Sequence, residues 1–366
     1  MQINKMESRI IANGILRALG IVTGGLLLVF LLYKAQSVII YLILAIILSL
    51  IGRPIVDLLT NRLKFPNIIA VISTMAIFIL AILGIISMFI PLVQEQGHNI
   101  SLLNTEELRN RILNLFQEMD LFFASRKINL FGELKNIDLT SEISSIPSLL
   151  NSLMSVVGTF SMGLFSVLFI TFFFLMDRHL LPNFFLFITP HRNEHKTLNS
   201  LTKINNLLSR YFIGLIIQIS ILFTIYSITL LIFDIKSAVV IAFLCALLNL
   251  IPYLGPIIGG VLIILLTMTS SLEYDFQTHI IPVTTYVLMG YIFAQIIDNF
   301  FSQPIIFSKS VKSHPLEIFL VIVTAGFLLG VTGMIFAVPL YTVIKVVLKE
   351  FLSDNQFVKS ITKGLD

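Results

Sequence analysis

Long uninterrupted apolar runs, joined by short polar links, make up most of the chain. Arg17 and Lys34 bracket a first run; 35–52, 65–94, 143–176 and 211–233 are four more. A hydrocarbon core of about 30 Å is crossed by roughly 20 helical residues, so each run predicts a membrane span. The runs are continuously apolar, whereas strands of a membrane barrel alternate apolar and polar residues in short segments. Two segments carry a different pattern. Within 95–142, Leu108, Ile112, Leu113, Phe116 and Met119 recur at helical spacing among polar residues, which predicts an amphipathic helix of a small extramembrane domain. In 191–210, Leu198, Leu201, Ile204, Leu207 and Leu208 share one face, which predicts an amphipathic helix at the membrane surface.

The last third is less regular. Run 237–272 is too long for one ordinary span, and LLNLIPYLGPIIGG interrupts it. Pro252 and Pro256 each lack a backbone donor and clash with the preceding turn, costing about 3 kcal/mol in a helix interior. Run 318–344 carries GFLLGVTGMIFAVP, and 276–297 lies between the two. Two topologies place the C-terminus in the cytoplasm. Either all three runs cross once, or 237–272 and 318–344 are hairpins that turn back and only 276–297 crosses.

Charge orients the spans, because cytoplasmic loops are enriched in Lys and Arg. Link 53–64 carries three Lys/Arg, and 177–210 carries five against two acids, whereas 95–142 has eight acids and five Lys/Arg. The N-terminus, 53–64 and 177–210 are therefore expected in the cytoplasm and 95–142 outside. The hairpin topology puts Lys309 and Lys312 inside and Glu273 and Asp275 outside, so the charge bias favours it. The expected fold is an all-α polytopic membrane protein of about six to eight membrane segments. Two of these are re-entrant hairpins broken at proline and glycine, and a small extracytoplasmic helical domain completes it. The chain divides into N-terminal membrane helices (1–94), the extracytoplasmic domain (95–150), a core membrane domain (151–350) and a cytoplasmic tail (351–366). Broken segments of opposite polarity resemble the inverted repeats of secondary transporters.

Composition agrees. Of 366 residues, 57% are hydrophobic and 12% charged, against about 25% charged in soluble chains. The net charge of +4 gives no reason to expect a nucleic-acid partner. The lone Cys245 excludes an intrachain disulfide and a multi-cysteine metal site. No small-residue cleavage site follows the first apolar stretch, so the first span is expected to stay as an anchor.

Several residues are candidates for transport chemistry. A helix broken in lipid frees backbone groups that survive only where protein or water covers them. Freed carbonyls suit cations and helix N-termini suit anions. A packing kink or tight loop is the alternative. This makes Asn249, Pro252, Tyr253, Gly255 and Pro256 candidates for lining a path. Gly326 and Gly330 form a G-x-x-x-G, and with Gly333 and Pro339 they permit either close helix packing or a hinge against IPYLGP. Asp298 ends an uncharged run, and helical spacing gathers Gln295, Asn299 and Ser302 beside it, with Gln303 next. Intramembrane acids are costly and usually functional, so this is a candidate proton or cation site, unless Asp298 only marks the interface. Asp177 and Arg210 are a candidate pair at the cytoplasmic boundary. The chain lacks H-E-x-x-H, G-x-x-x-x-G-K-[ST] and G-x-S-x-G motifs, so no catalytic residue, metal or cofactor is assigned, and an ion gradient is the expected drive.

LLNLIPYLGPIIGG, DNFFSQPIIFSKSVKSHPLEIFL and AGFLLGVTGMIFAVPLYTVIKVV, with FFFLMDRHL and KINNLLSRYFIG upstream, resemble the autoinducer-2 exporter-like family of bacterial membrane proteins, also called PerM-like permeases. The chain departs from that pattern at Leu215, where a Gln usually follows the glycine and Gln218 stands one turn later. It departs also at Ser308, where glycine is common, and at Glu317, where an apolar residue is usual. The resemblance implies a homo-oligomeric transporter of the bacterial inner membrane, for which pentameric rings are described. It also implies export of a small solute. The expected function is thus a secondary exporter coupled to protons or sodium, with the lipid bilayer and a small molecule or ion as partners. A sodium/proton antiporter, a passive channel and a non-transporting scaffold or sensor using 95–150 are the alternatives.

Overall fold

The structure, a computed structural model, describes residues 3–100, 163–271, 274–303, 313–353 and 355–362. The expected extracytoplasmic domain from residue 101 onward, the first part of the fourth run, and Glu273, Lys309 and Lys312 lie outside the described residues. All regular structure among the described residues is helical. In order the helices are α1 (Ile3–Lys34), α2 (Gln36–Asn61), α3 (Asn67–Ile100), α4 (Gly163–Met176), α5 (Leu180–Ile188) and α6 (Glu194–Ile232). Then follow α7 (Ala238–Leu248), α8 (Leu254–Ser270), α9 (Ile281–Ile297), α10 (Pro315–Phe351) and α11 (Gln356–Thr362). Among the described residues five helices are long and apolar enough by length and composition to cross a bilayer, α10 counted as one of them despite its internal break at Gly330, or six if the bent pair α4 and α5 counts as one span.

Helices α2, α3 and α4 pack through Val56, Val71, Met75, Phe78 and Leu175. Gly52 sits where any side chain would press on Phe78 and Leu175 at 3.1 Å. Ser209 Oγ donates to the Leu50 carbonyl at 2.7 Å, and Arg53 donates to Asn205 Oδ1 at 3.2 Å. These bonds dock α6 on α2.

Helix α6 differs from the sequence expectation. The polar stretch 191–210 and the fifth apolar run form one helix of 39 residues, about 58 Å long. No proline or glycine separates Arg210 from Tyr211, so the backbone hydrogen bonds continue across the change of polarity. From Glu194 the polar part is therefore continuous with the apolar run and not a separate helix. A second difference is α5, which the polar and apolar pattern did not single out. It turns 86° from α4.

Both irregular runs fold back on themselves. Helices α7 and α8 are antiparallel: Cys245 Sγ lies 3.7 Å from the Gly259 carbonyl, and Gly255 faces the Leu248 carbonyl. Their 11 and 17 residues reach about 16 and 25 Å, each short of a 30 Å core. In α10, Tyr341 donates to Glu317 at 3.1 Å and Lys345 donates to Ser313 Oγ at 2.7 Å. A straight helix would hold Glu317 and Tyr341 about 36 Å apart. The chain reverses at Gly330, with φ 65° and ψ −150°, a conformation open essentially only to glycine. Helix α10 is thus two arms, 315–329 and 331–351, and not a single long span.

The two hairpins approach α6 from opposite ends. The α7–α8 hairpin begins in the cluster holding Leu230 and Ile235, while its tip residue Ile251 joins Tyr211 and Leu215. The open end of α10 is tied to the other half of α6 by Lys203 and Glu350 at 3.1 Å. Tyr253 of the first hairpin meets Phe319 of the second edge-on, with centroids 5.6 Å apart. Helix α9 runs antiparallel to α6 beside the first hairpin and stacks Tyr291 on Tyr226 at 5.1 Å.

A π-helical turn, Phe276–Ile280, precedes α9. Asp275 caps it by accepting from Thr278 N–H and Oγ–H at 2.8 and 2.7 Å. The Thr278 side-chain bond, then its backbone bond, hold the Asp275 carboxyl below its ordinary value. A depressed native value means the cap stabilises above the ordinary range near 4 and is lost as pH falls through the lowered value. Hydrogen exchange at residues 278–280 should accelerate there, and Asp275→Ala should show the fast exchange at all pH values.

Candidate functional site

The site is a polar network inside the apolar core shared by α6, α9 and the first hairpin. Asp298 is fully buried. Its Oδ2 accepts from Gln218 Nε2 of α6 at 3.0 Å and from Gln303 Nε2 at 2.9 Å. Its Oδ1 is buried with no hydrogen-bond partner among the described residues. One turn earlier, Gln295 Nε2 reaches the Tyr226 hydroxyl at 2.8 Å, Asn249 Oδ1 at 3.1 Å and the Tyr291 hydroxyl at 3.1 Å. Gln295 Oε1 is also buried and unpartnered among the described residues. Two orphan oxygens on successive turns of one helix are acceptors without donors among the described residues, at a cost of about 1–3 kcal/mol each when left dry. Such atoms are suited to a proton, a water or a cation.

The hairpin tip belongs to the same network. Asn249 Nδ2 donates to the Cys245 carbonyl at 2.9 Å, and the Tyr291 hydroxyl donates to the Pro256 carbonyl at 2.6 Å. The amides of Asn249, Leu250, Ile251, Leu254 and Gly255 all find carbonyls within the hairpin. The break at IPYLGP is therefore largely repaired by short local hydrogen bonds, and Tyr291 satisfies one carbonyl from outside. Tyr253 takes a positive φ of 68° as the residue before α8.

Several expectations about individual residues change. Asp298, Gln295 and Ser302 are buried together, but Asn299 is exposed. Among the described residues it meets the network through Gln303, at 3.0 Å. Asp298–Ser302 is a π-helical turn, whose wider winding departs from the α-helical spacing used to group the four. Gly326 and Gly330 do not form a helix-packing motif together. Gly330 is the reversal itself, with open space around it, while Gly326 faces Met334 and Gly333 faces the Ala325 carbonyl across the turn. These glycines close the hairpin on itself; Tyr253 and Phe319 form the contact with IPYLGP. Pro339 is buried in the second arm. Asp177 and Arg210 form no ion pair with each other among the described residues: Asp177 accepts from the His179 amide, and the neighbouring Arg178 pairs with Asp57.

Sequence reasoning passed over Tyr226, Tyr291 and Lys345, and noted Gln218 only for its displacement. Gln218 and Tyr226 lie eight residues apart with buried Leu222 between them, so a polar stripe inside the fifth apolar run was the available signal. Lys345 is only 2% exposed, lies 3.5 Å from Glu317 and sits 5.7 Å from the Tyr341 ring. The acid at Glu317, where an apolar residue is usual, is the partner that lets this cation be buried.

Two opposed, broken hairpins around a polar core in a bundle of apolar helices define a polytopic membrane protein of the transporter class. The comparisons with known proteins agree. The model of the AI-2E family transporter matches residues 21–353, and the chain belongs to that family. It is 26% identical over 314 residues to the candidate transport protein YueF of Bacillus subtilis (strain 168), covering 83% of this chain and 81% of that one. It is 29% identical over 184 residues to the candidate transport protein YrrI of the same organism, half of each chain. It is 22% identical over 317 residues to the AI-2 transport protein TqsA of Escherichia coli (strain K12), covering 86% of this chain and 87% of that one.

Proposed function

We propose that the protein is a secondary transporter that exports a small solute across the bacterial inner membrane, driven by a proton or sodium gradient. The observation that carries this reading is Asp298: a fully buried carboxylate with one oxygen held by two amides and the other without a hydrogen-bond partner among the described residues. A charge in that place costs several kcal/mol unless something compensates it. Binding and release of a proton or monovalent cation at Oδ1 would couple that cost to movement. The Gln295–Asn249 bond ties the neighbouring turn to the tip of the first hairpin, so a change at Asp298 has a short route to the candidate path. In this reading Asn249, Pro252, Tyr253, Gly255 and Pro256 line that path from the first hairpin, and the second hairpin, whose turn Gly326, Gly330 and Gly333 close and whose second arm holds Pro339, borders it through Phe319 beside Tyr253. The relative named an AI-2 transport protein makes a small signalling molecule one cargo to try.

The test is flux of candidate solutes in vesicles holding the purified protein, under imposed proton and sodium gradients. Gradient-dependent flux supports the reading. Equal flux with and without coupling ions marks a channel, exchange of the two ions alone marks an antiporter, and no flux under any gradient marks a scaffold.

The orientation that goes with this reading has both termini, 53–64 and 177–210 in the cytoplasm. The α10 hairpin then opens to the cytoplasm and the α7–α8 hairpin to the opposite side. In a Cys245→Ser background, Lys309→Cys should react with impermeant maleimide only from inside and Glu273→Cys only from outside. The reverse pattern would mean that the whole protein sits the other way up, with both termini outside. A homo-oligomer is part of the proposal, and cross-linking in native membranes measures its size.

A further inference from the structure

We infer that α5 lies in the plane of the bilayer, at the headgroup boundary of the leaflet beside the 53–64 link, and seats there on anionic phospholipid. The inference does not depend on which solute is carried. Helix α4 continues an apolar run, and α5 leaves it at 86°, so where α4 crosses the membrane α5 runs along it. The sequence of α5, LLPNFFLFI, has one polar side chain, and none of its nine residues is buried. Phe187 is 92% exposed, and Phe184 and Ile188 project beside it. Nine residues span about 14 Å, too short to cross, yet an all-round apolar helix is not stable in water. The acyl–headgroup boundary is the environment that meets both conditions.

Charge selects the lipid. Links 53–64 and 177–196 hold six Lys/Arg against three acids. Arg178 is committed to Asp57, and Glu194 to His191. Arg62, Lys64, Arg192 and Lys196 are exposed around the two ends of α5. Juxtamembrane cations of this kind attract anionic headgroups. Beside the first turn of α5 lies a cleft of about 450 Å³, lined by Asn61, Phe65, Asn67 and His179 among others; its Arg178 is the one paired with Asp57 and its Asp177 accepts from the His179 amide, so the cleft offers amide donors and the exposed cations around it supply the charge.

The chain contains no tryptophan, so Phe187→Trp supplies a unique fluorophore in the full protein. In phosphatidylcholine/phosphatidylglycerol vesicles its emission should be blue-shifted. Lipids brominated high on the acyl chain should quench it more than lipids brominated near the methyl end. Water-like emission without quenching, deep quenching, or a dry emission that no brominated lipid reaches would each overturn the placement. Replacing Arg62, Lys64, Arg192 and Lys196 with Gln should reduce the preference for phosphatidylglycerol over phosphatidylcholine, read by competition of spin-labelled lipids, by up to about fivefold per cation. An unchanged preference would overturn the anionic seat.

Discussion

Asp298→Asn is expected to lower gradient-driven flux roughly 100-fold or more, the scale of losing an essential proton-transfer group, while the protein still folds and assembles. The substitution keeps the shape of the side chain. Its amide oxygen can still accept from Gln218 and Gln303, which now reach Oδ2 at 3.0 and 2.9 Å. It replaces Oδ1, which has no hydrogen-bond partner among the described residues, with a group that can neither ionise nor accept a cation. Vesicle flux under proton and sodium gradients, with gel filtration of the same preparation, separates loss of coupling from loss of fold. Undiminished coupled flux would remove Asp298 from the mechanism and return it to a structural role at the end of α9.

The second large effect concerns the hairpin turns. A Cβ at Gly255 would stand 2.0 Å from the Leu248 carbonyl oxygen, and one at Gly333 would stand 2.2 Å from the Ala325 carbonyl oxygen. Backbone atoms cannot swing away as side chains do. Gly255→Ala and Gly333→Ala should each destabilise the protein by about 3 kcal/mol and lower the yield of assembled protein. Gly326→Ala meets only the flexible Met334 side chain, and Gly84→Ala meets nothing within 4 Å. The first should be mild and the second neutral. Gly330→Ala has room for its methyl but not the backbone conformation, so it should cost about 1–3 kcal/mol. Thermal unfolding of the purified variants in one detergent ranks them. If Gly326→Ala were as damaging as Gly333→Ala, the reversal at Gly330 would be wrong.

Much of this was readable one segment at a time. Preference for lipid is a property of each run by itself, so among the described residues the apolar runs appear as helices where the pattern put them. The prolines and glycines at IPYLGP and GFLLGVTG marked the two reversals, because a break in backbone hydrogen bonding has local causes. Asp298 stood out for the same reason, as a lone acid beside a long uncharged run.

What was not readable depends on which surfaces meet. The spacing of Gly326 and Gly330 looked like a site for another helix. Only the fold shows that one of them is the turn and that the close partner of the first arm is Gly333. Asp177 and Arg210 are opposite charges at one boundary, but the packing of α2 against α4 gives Asp57 to Arg178 instead. Helix α6 runs through a change of polarity because the backbone is indifferent to it. The sequence alone determined that this chain lives in a membrane; it marked the two breaks and Asp298 but left open whether the chain reverses at the breaks and whether that acid is buried. The tertiary structure alone decided that the reversals point toward each other from opposite ends of α6, and that Gln218, Tyr226, Asn249 and Tyr291 converge around Gln295 and Asp298. Insertion into lipid rewards each run separately, whereas a buried hydrogen-bond network exists only once residues distant in sequence are brought together.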